Sequence, residues 1–308
     1  MTEVRVIPGG CETNPGVAIL SPISGKQHIR ETNHYQTDVT DEKWRVIGPY
    51  LPTAKSAGPP RVWLMRESIN CIFNVMRSGC PWRLLSRDSS RWGPIYRWFA
   101  TFRDEGRVEK INHATVMLDR ERIGRKSSPT GAIIDSQSVK TAEADGPRGY
   151  DAGKKINGRK RHALVDTDGR ALVLELHPAS IQDRDGGGPL LRALRRVFPF
   201  IQRVFADGGY AGEKVATATL IAVEIVRKNP DQIGFAVQPR RWVVERFFAW
   251  IGRNRRLAKN FEATIDSARA FLYAASIMLL VRQIARAHDF RNRLLGLLMP
   301  ATASVGHS

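Results

Sequence analysis

The apolar period of the chain changes at Lys126–Thr130, KSSPT, and that change limits what its 308 residues can fold into. Before it, apolar residues recur at helical spacing. Ile69, Ile72, Phe73 and Met76 share one face of a helix predicted over Arg61–Ser78, with Gly79 as its left-handed cap. Trp44, Ile47 and Leu51 mark an earlier helix that begins near Thr40, followed by a loop over Pro52–Pro60. Ile95, Trp98, Phe99 and Phe102 mark a third, from Gly93–Pro94, and Val108, Ile111 and Leu118 a fourth, over Val108–Ile123. After the linker, short apolar runs bounded by turn residues predict strands over Ala132–Lys140, Lys160–Asp166, Arg170–His177, Phe200–Ala206 and Ala222–Arg227. Thr167-Asp168-Gly169 is the hairpin turn between the second and third. Helices are predicted over Asp183–Val197, where Gly186–Gly188 loosen the first turn, over Gly212–Leu220, from Pro239, and over Thr264–Ala287.

The resulting order is β-β-β-α-β-α-β-α-α. A meander followed by strands that enter through helical crossovers is the layout of an α/β, ribonuclease-H-like mixed sheet with flanking helices, expected over residues 130–290. Residues 37–125 are expected to form a small all-α domain that precedes it. A helix-turn-helix-like DNA-binding module and a bundle that only packs on its neighbour stand level there. Residues 1–36, rich in Gly, Pro, Thr and Asn, are expected to be a disordered leader, and 291–308 a flexible tail.

The formal net charge is +18, which a polyanionic partner would take up. Phe271–Val281, the longest apolar run, is too short to span a bilayer and reads as a buried helix. Cys11, Cys71 and Cys80 show no metal-ligand spacing and suit a reducing compartment. The expectation is a cytoplasmic protein, without a membrane partner, that binds nucleic acid.

Three carboxylates stand out by position. Asp135 closes the apolar run of the first strand. Asp207 ends a later strand, in ADGGYAG. Glu245 lies in PRRWVVERFFAWIGRNRR, a helix in which Trp242 and Val243 are expected to pack with Phe247 and Trp250, and Val244 with Phe248 and Ile251. With the first strand central and its crossover neighbour beside it, Asp135 and Asp207 meet at one sheet end and Glu245 approaches from its helix. Oxygen-only ligands suit Mg²⁺ or Mn²⁺. Two such ions can activate a nucleophile and stabilise the leaving oxygen of a phosphodiester. Taken singly, each acid has a plainer role: a strand-end cap, an Asx turn, an ion pair between Glu245 and Arg241. Asp166, Asp168, Asp183 and Asp185 are the other acids nearby, Asp183 or Asp185 as a helix N-cap.

The segment Arg148–His162 holds Arg148, Lys154, Lys155, Arg159, Lys160 and Arg161 against Asp151, with three interrupting glycines. As a flexible basic loop it is predicted to contact DNA phosphates rather than only solvent. His162 and His177 read as structural strand residues, since no spacing links them into a zinc pattern. Trp92, Tyr96 and Trp98 read as core.

The motifs CPWRLL, WGPIYRWF, AIIDSQSVK, GYDAGKKINGRKRHALVDTDG, VFADGGYAG and PRRWVVERFFAWIGRNRRL run from about residue 37 to about 285. Together they resemble the bacterial insertion-sequence transposases of the DDE type, in the insertion sequence five family. The resemblance implies that Asp135, Asp207 and Glu245 are the catalytic, metal-binding triad, with two Mg²⁺ (or Mn²⁺) ions per site. It pairs Arg241 with Glu245. It also implies a nucleoid-associated homo-oligomer acting on terminal inverted repeats and target DNA. Gln238 stands where the family pattern has tyrosine, and Gly252 where it has a basic residue, so Arg253, Arg255 or Arg256 would make that DNA contact. The expected function is cleavage at element ends and joining of the 3′-hydroxyl to target DNA. The alternatives are a metal-dependent nuclease of the same fold and an inactive DNA-binding remnant.

Overall fold

Alternation along the first strand of the sheet sets the layers. In β1 (Gly131–Lys140), Ala132 and Ile134 pack into one apolar core and Ile133 into the other, as the period of two in a strand requires. The computed structural model describes residues 35–53, 64–85, 91–142, 146–226 and 241–298, with side chains as far as residue 287. The expected leader up to residue 34, most of the 52–60 loop, Gln238, Pro239 and the last ten residues lie outside the described residues.

β1 pairs antiparallel with β3 (Ile156–Asp166) and parallel with β5 (Arg203–Ala206). β3 also pairs with β2 (Gly149–Asp151) and β4 (Ala171–Pro178), and β5 runs parallel to β6 (Ala222–Ile225). The product is a six-stranded mixed sheet in the order β2-β3-β1-β5-β6, with β4 on β3. The meander and the crossovers follow the expected order. β2 was not foreseen, and β3 begins at Ile156 rather than Lys160.

One face of the sheet is covered by α5 (Asp183–Val197), through Leu190, Leu191 and Leu194 against Ala132, Leu164 and Val204. The glycines in its first turns do not loosen it. They let it approach, since a Cβ on Gly186 would lie 2.5 Å from His177 Nε2 and 2.8 Å from His162 Nε2. The short α6 (Glu213–Ala216) ends well before the expected Leu220, whose side chain is exposed.

The other face carries α7 (Trp242–Ile251) and α8 (Ile265–Leu298). The N-terminal helices α1 (Asp41–Ile47), α2 (Met65–Ser78), α3 (Trp92–Asp104) and α4 (Arg107–Arg122) share their core. Ile72, Phe99 and Ile111 from these helices join Phe247, Phe271 and the strand residues Ile133 and Val165 in that core. Ile265–Ala287 is long and apolar enough to cross a bilayer by length and composition, yet most of it is buried inside the protein. Trp98 packs on this core, but Trp92, Tyr96 and Leu118 are substantially exposed, contrary to expectation. Gly79 caps α2 as predicted, with φ +75° and its N–H on the Val75 carbonyl at 2.9 Å.

The hairpin acids are used up in packing. Fully buried Asp166 accepts from Arg120 at 2.5 Å and Arg170 at 3.1 Å, and Arg170 also reaches Asp119 at 2.6 Å and Asp168 at 2.7 Å. This buried network ties α4 to the β3–β4 turn.

Candidate active site

Sheet register brings the two aspartates together. Ala132 and Ile133 stand opposite Val204 and Phe205 in the parallel β1–β5 pair. Asp135 and Asp207 each lie two residues further on, so they leave the sheet at the same end. Ile133 and Phe205 belong to the core that contains α7, so parity puts both acids on the α7 side.

Glu245 comes from the first turn of α7. Val243, Val244, Phe247, Phe248 and Ile251 bury the inner face of this helix and leave Glu245 exposed. Trp242 does not join that face. It is 40% exposed, and with Trp250 it brackets the Arg246 guanidinium at 4.3 and 4.7 Å.

All three carboxylates converge on Arg241, just before α7. Its Nη2 lies 3.5 Å from Asp135 Oδ2, 3.5 Å from Asp207 Oδ2 and 3.9 Å from Glu245 Oε1. No two of these oxygens can be further apart than two such distances laid end to end. The acids are unequally placed: side-chain exposure is 14% for Asp135, 28% for Asp207 and 60% for Glu245. Burial pushes the Asp135 carboxyl above its ordinary value and the Asp207 charge adds to this. The Ser136 N–H, at 2.7 Å, and Arg241 act the other way. Asp207 does form the Asx turn: its Oδ1 accepts from the Gly209 N–H at 2.9 Å while Oδ2 faces Arg241.

Asp183 is a neighbour that sequence reasoning set aside. It is not an N-cap, the residue at that position being Gln182. Its Oδ1 accepts from Ser136 Oγ at 2.8 Å and lies 3.0 Å from Lys160 Nζ. A Cβ on Gly209 would lie 3.2 Å from Asp183 Oδ2 and 3.0 Å from Asp207 Oδ1. A side chain at Gly209 would therefore crowd both carboxylates. The one signal in the sequence was an acid opening the crossover helix at the same sheet end as DGGY. Behind it, Tyr210 Oη and His162 Nδ1 lie 2.8 Å apart, and the His162 and His177 rings are 4.6 Å apart. Burial, then His177, pushes His162 well below its ordinary value, so the ring is neutral and structural.

The basic segment divides. Lys154 and Lys155 are exposed in the β2–β3 turn, and Lys154 Nζ donates to the Ser136 carbonyl at 3.1 Å, beside the site. Arg159, Lys160 and Arg161 are instead strand residues buried to 1%, 5% and 2% exposure. Their charges are spent on protein oxygens. Arg159 binds the carbonyls of Pro147, Glu262 and Ala263, Lys160 that of Ile181, and Arg161 that of Leu257. Burial pushes the Arg161 guanidinium down to about 10, still charged at neutral pH. The expected phosphate contact by these three is corrected on that ground. Arg253 and Arg255 are exposed after α7, whereas Arg256 turns inward to Glu262 at 2.7 Å and the Cys80 carbonyl at 3.0 Å.

The triad offers oxygen donors only, the set that hard divalent cations take. Among the described residues, no three His, Cys, Asp or Glu side chains are already gathered at ligand spacing. In the triad, a guanidinium sits where the acids converge. The donor set is of the kind that takes Mg²⁺ or Mn²⁺, and one guanidinium faces its three carboxylates.

Residues 126–281 match the family model described as "Transposase DDE domain". The chain belongs to the DDE transposases. Residues 39–112 of this transposase match a second model, "Putative transposase of IS4/5 family". A Burkholderia cepacia protein described as "Putative transposase for insertion sequence element IS402" is 30% identical over 164 residues, which cover 50% of this chain and 76% of that protein. No solved structure matches the transposase significantly. The insertion-sequence resemblance carried by the motifs therefore holds. Asp135, Asp207 and Glu245 all fall within the stretch matched by the DDE model, a family that implies a ribonuclease-H-like sheet.

Proposed function

We propose that this transposase cuts DNA at insertion-sequence ends and joins the freed 3′-hydroxyl to target DNA, with Asp135, Asp207 and Glu245 as the catalytic carboxylates. The observation that carries this is the convergence of three acids, far apart in sequence, on the single nitrogen of Arg241. Two Mg²⁺ or Mn²⁺ ions, when held by these oxygens, activate the attacking oxygen and stabilise the leaving one. Asp135, the most buried of the three, fixes the inner edge of the site, and solvent-facing Glu245 closes the outer edge. Water attacks the phosphodiester at the element end. The 3′-hydroxyl so released then attacks a target phosphodiester in line, and the target's own 3′-oxygen leaves as its P–O bond breaks. Arg241 offsets part of the charge of the acids beforehand and is placed to meet a phosphate. Exposed Lys154, Lys155, Arg253 and Arg255 supply backbone contacts.

The N-terminal helices, 37–125, are assigned recognition of the terminal inverted repeats in a helix-turn-helix-like mode, with residues 130–290 as the catalytic part. Two element ends handled together imply a homo-oligomer on DNA in the bacterial nucleoid.

The test incubates the full chain, Mg²⁺ and a pre-cut element end with a supercoiled plasmid. Joined product is expected, and Asp207→Ala abolishes it. Nicks without joining would make the protein a nuclease. No cleavage, with Asp207→Ala matching the wild type, would make it a DNA-binding remnant.

A further inference from the structure

A cleft of about 540 Å³ opens where three distant parts of the chain meet: the segment leading into α1, the end of α2 and the middle of α8. Lys43, Arg77, Arg282 and Arg286 line it, and among its described lining residues Glu42 is the only carboxylate. Burial, then the charges of Arg77 and Arg286, pushes the Arg282 guanidinium below its ordinary value. Burial, then Arg282, does the same to the Lys43 ammonium, opposed by Asp38 and Glu42. Like charges held together in a half-buried cleft cost stability unless an anion enters. Thr37 Oγ1, also in the lining, is buried with no hydrogen-bond partner among the described residues, so a donor hydroxyl stands beside the cations. Cations of two kinds and a hydroxyl are the groups that bind phosphate oxygens.

The position of the cleft matters as well. Arg77 Nη1 donates to the Arg253 carbonyl at 2.8 Å, so the wall of the cleft touches the loop that follows α7. That loop exposes Arg253 and Arg255, and α7 carries Glu245. The loop that carries exposed Arg253 and Arg255 thus joins the helix of Glu245 to the wall of the cleft.

We infer that the cleft formed by α1, α2 and α8 binds the phosphodiester backbone of the DNA on which the triad acts, as a second anchoring site away from the carboxylates. The inference rests on the proposed function only in taking DNA as the partner. It adds which surface holds the duplex and which residues hold it: Lys43, Arg77, Arg282 and Arg286.

The experiment measures binding of the full chain to a fluorescent, random-sequence duplex of about thirty base pairs, in EDTA, over a salt series. Each lost phosphate contact flattens the log–log salt slope by about 0.9. Arg282→Gln/Arg286→Gln is expected to weaken binding and flatten the slope by about two units, and Arg282→Lys/Arg286→Lys to restore most of it. Arg192→Gln/Arg196→Gln, an equal charge change on the exposed side of α5, is expected to leave the slope unchanged. If the first variant does not fold, Lys43→Gln on the α1 wall reads the same effect at about half the size. An unchanged slope, or an equal fall in the α5 variant, overturns the assignment. So does polyglutamate displacing the duplex at equal charge, which would give the cleft to an acidic protein. Strand joining is not the readout, so failure here is separable from failure of the proposed catalysis.

Discussion

The Arg241 guanidinium stands 3.5 Å from the Asp207 carboxylate through the same nitrogen that lies 3.5 Å from Asp135. One guanidinium faces three carboxylates, and even with Lys154 beside Asp135 the acids outnumber the cations. That deficit is the physical reason to expect divalent ions there, and it makes Arg241 their competitor. Arg241→Gln is expected to lower stability in EDTA by about 1 kcal/mol, the pair being partly solvent-screened. Added Mg²⁺ should then raise the melting temperature more than in the wild type, because binding to the folded state stabilises it in proportion to affinity. Thermal melts over a Mg²⁺ titration measure this. An Mg²⁺ shift no larger than that of the wild type would show that the arginine does not compete.

Asp135 carries the second prediction. Its folded carboxyl is raised, first by burial and then by Asp207. A raised acid binds its proton more tightly in the fold than in the unfolded chain. The stability it lends is full below the ordinary carboxylate range and is lost as pH rises through the folded value. At pH 7 without metal the ionised group is a cost. Asp135→Asn should therefore melt higher than the wild type at pH 7 in EDTA, with the gap closing in acid. It should also lose joining activity by at least about a hundredfold. A variant that melts lower at pH 7 would contradict the burial argument.

Asp183 is expected to act as a positioning residue. It accepts from Ser136 Oγ, next to Asp135, and sits against Gly209, two residues past Asp207. Asp183→Ala should slow joining about tenfold by letting the two catalytic segments drift, since misplacement by about 1 Å can cost a hundredfold. Asp183→Asn keeps the Ser136 bond and should recover part of the rate. Ser136→Ala and Asp183→Ala should be non-additive in rate, as residues in one network are. Additive losses, with no rescue by asparagine, would reduce Asp183 to a merely structural partner of Lys160.

The convergence of Asp135, Asp207 and Glu245 could be read from the chain because it depends on quantities that sequence encodes well. Strand order put β1 beside β5, and a period of two put Asp135 and Asp207 on one side of the sheet. Side-chain destinations were harder. Trp242 looked apolar enough for the core but instead lies against the Arg246 guanidinium at the surface, an interaction that spacing does not announce. Asp183 acts through a strand serine 47 residues away in sequence, a contact set by the crossover of α5. The basic run 159–161 misled for the same reason. Composition gives its charge, but not the carbonyls of a distant loop that need donors.

Arg159 shows what that need amounts to and gives the last prediction. Its guanidinium, covered from solvent, donates to Pro147 O at 2.7 Å, Glu262 O at 2.7 Å, Ala263 O at 2.8 Å and Asn260 Oδ1 at 3.2 Å. The loop over 260–264, which precedes α8, is thus tied to β3 by this side chain, alongside the Arg256–Glu262 pair. Lysine has the charge but not the planar fork, so it cannot serve acceptors that diverge in this way. Arg159→Lys should lose about 2–3 kcal/mol of stability, as buried carbonyls go unsatisfied. Because the side chain is 1% exposed, the salt slope of DNA binding per folded molecule should not change. Denaturant melts and the anisotropy salt series, run on the same preparation, separate the two quantities. A flatter salt slope with unchanged stability would mean that Arg159 turns outward to phosphate when DNA is present. A loss of stability alone would mean that the charge carried by this strand serves the loop before α8 and not the nucleic acid.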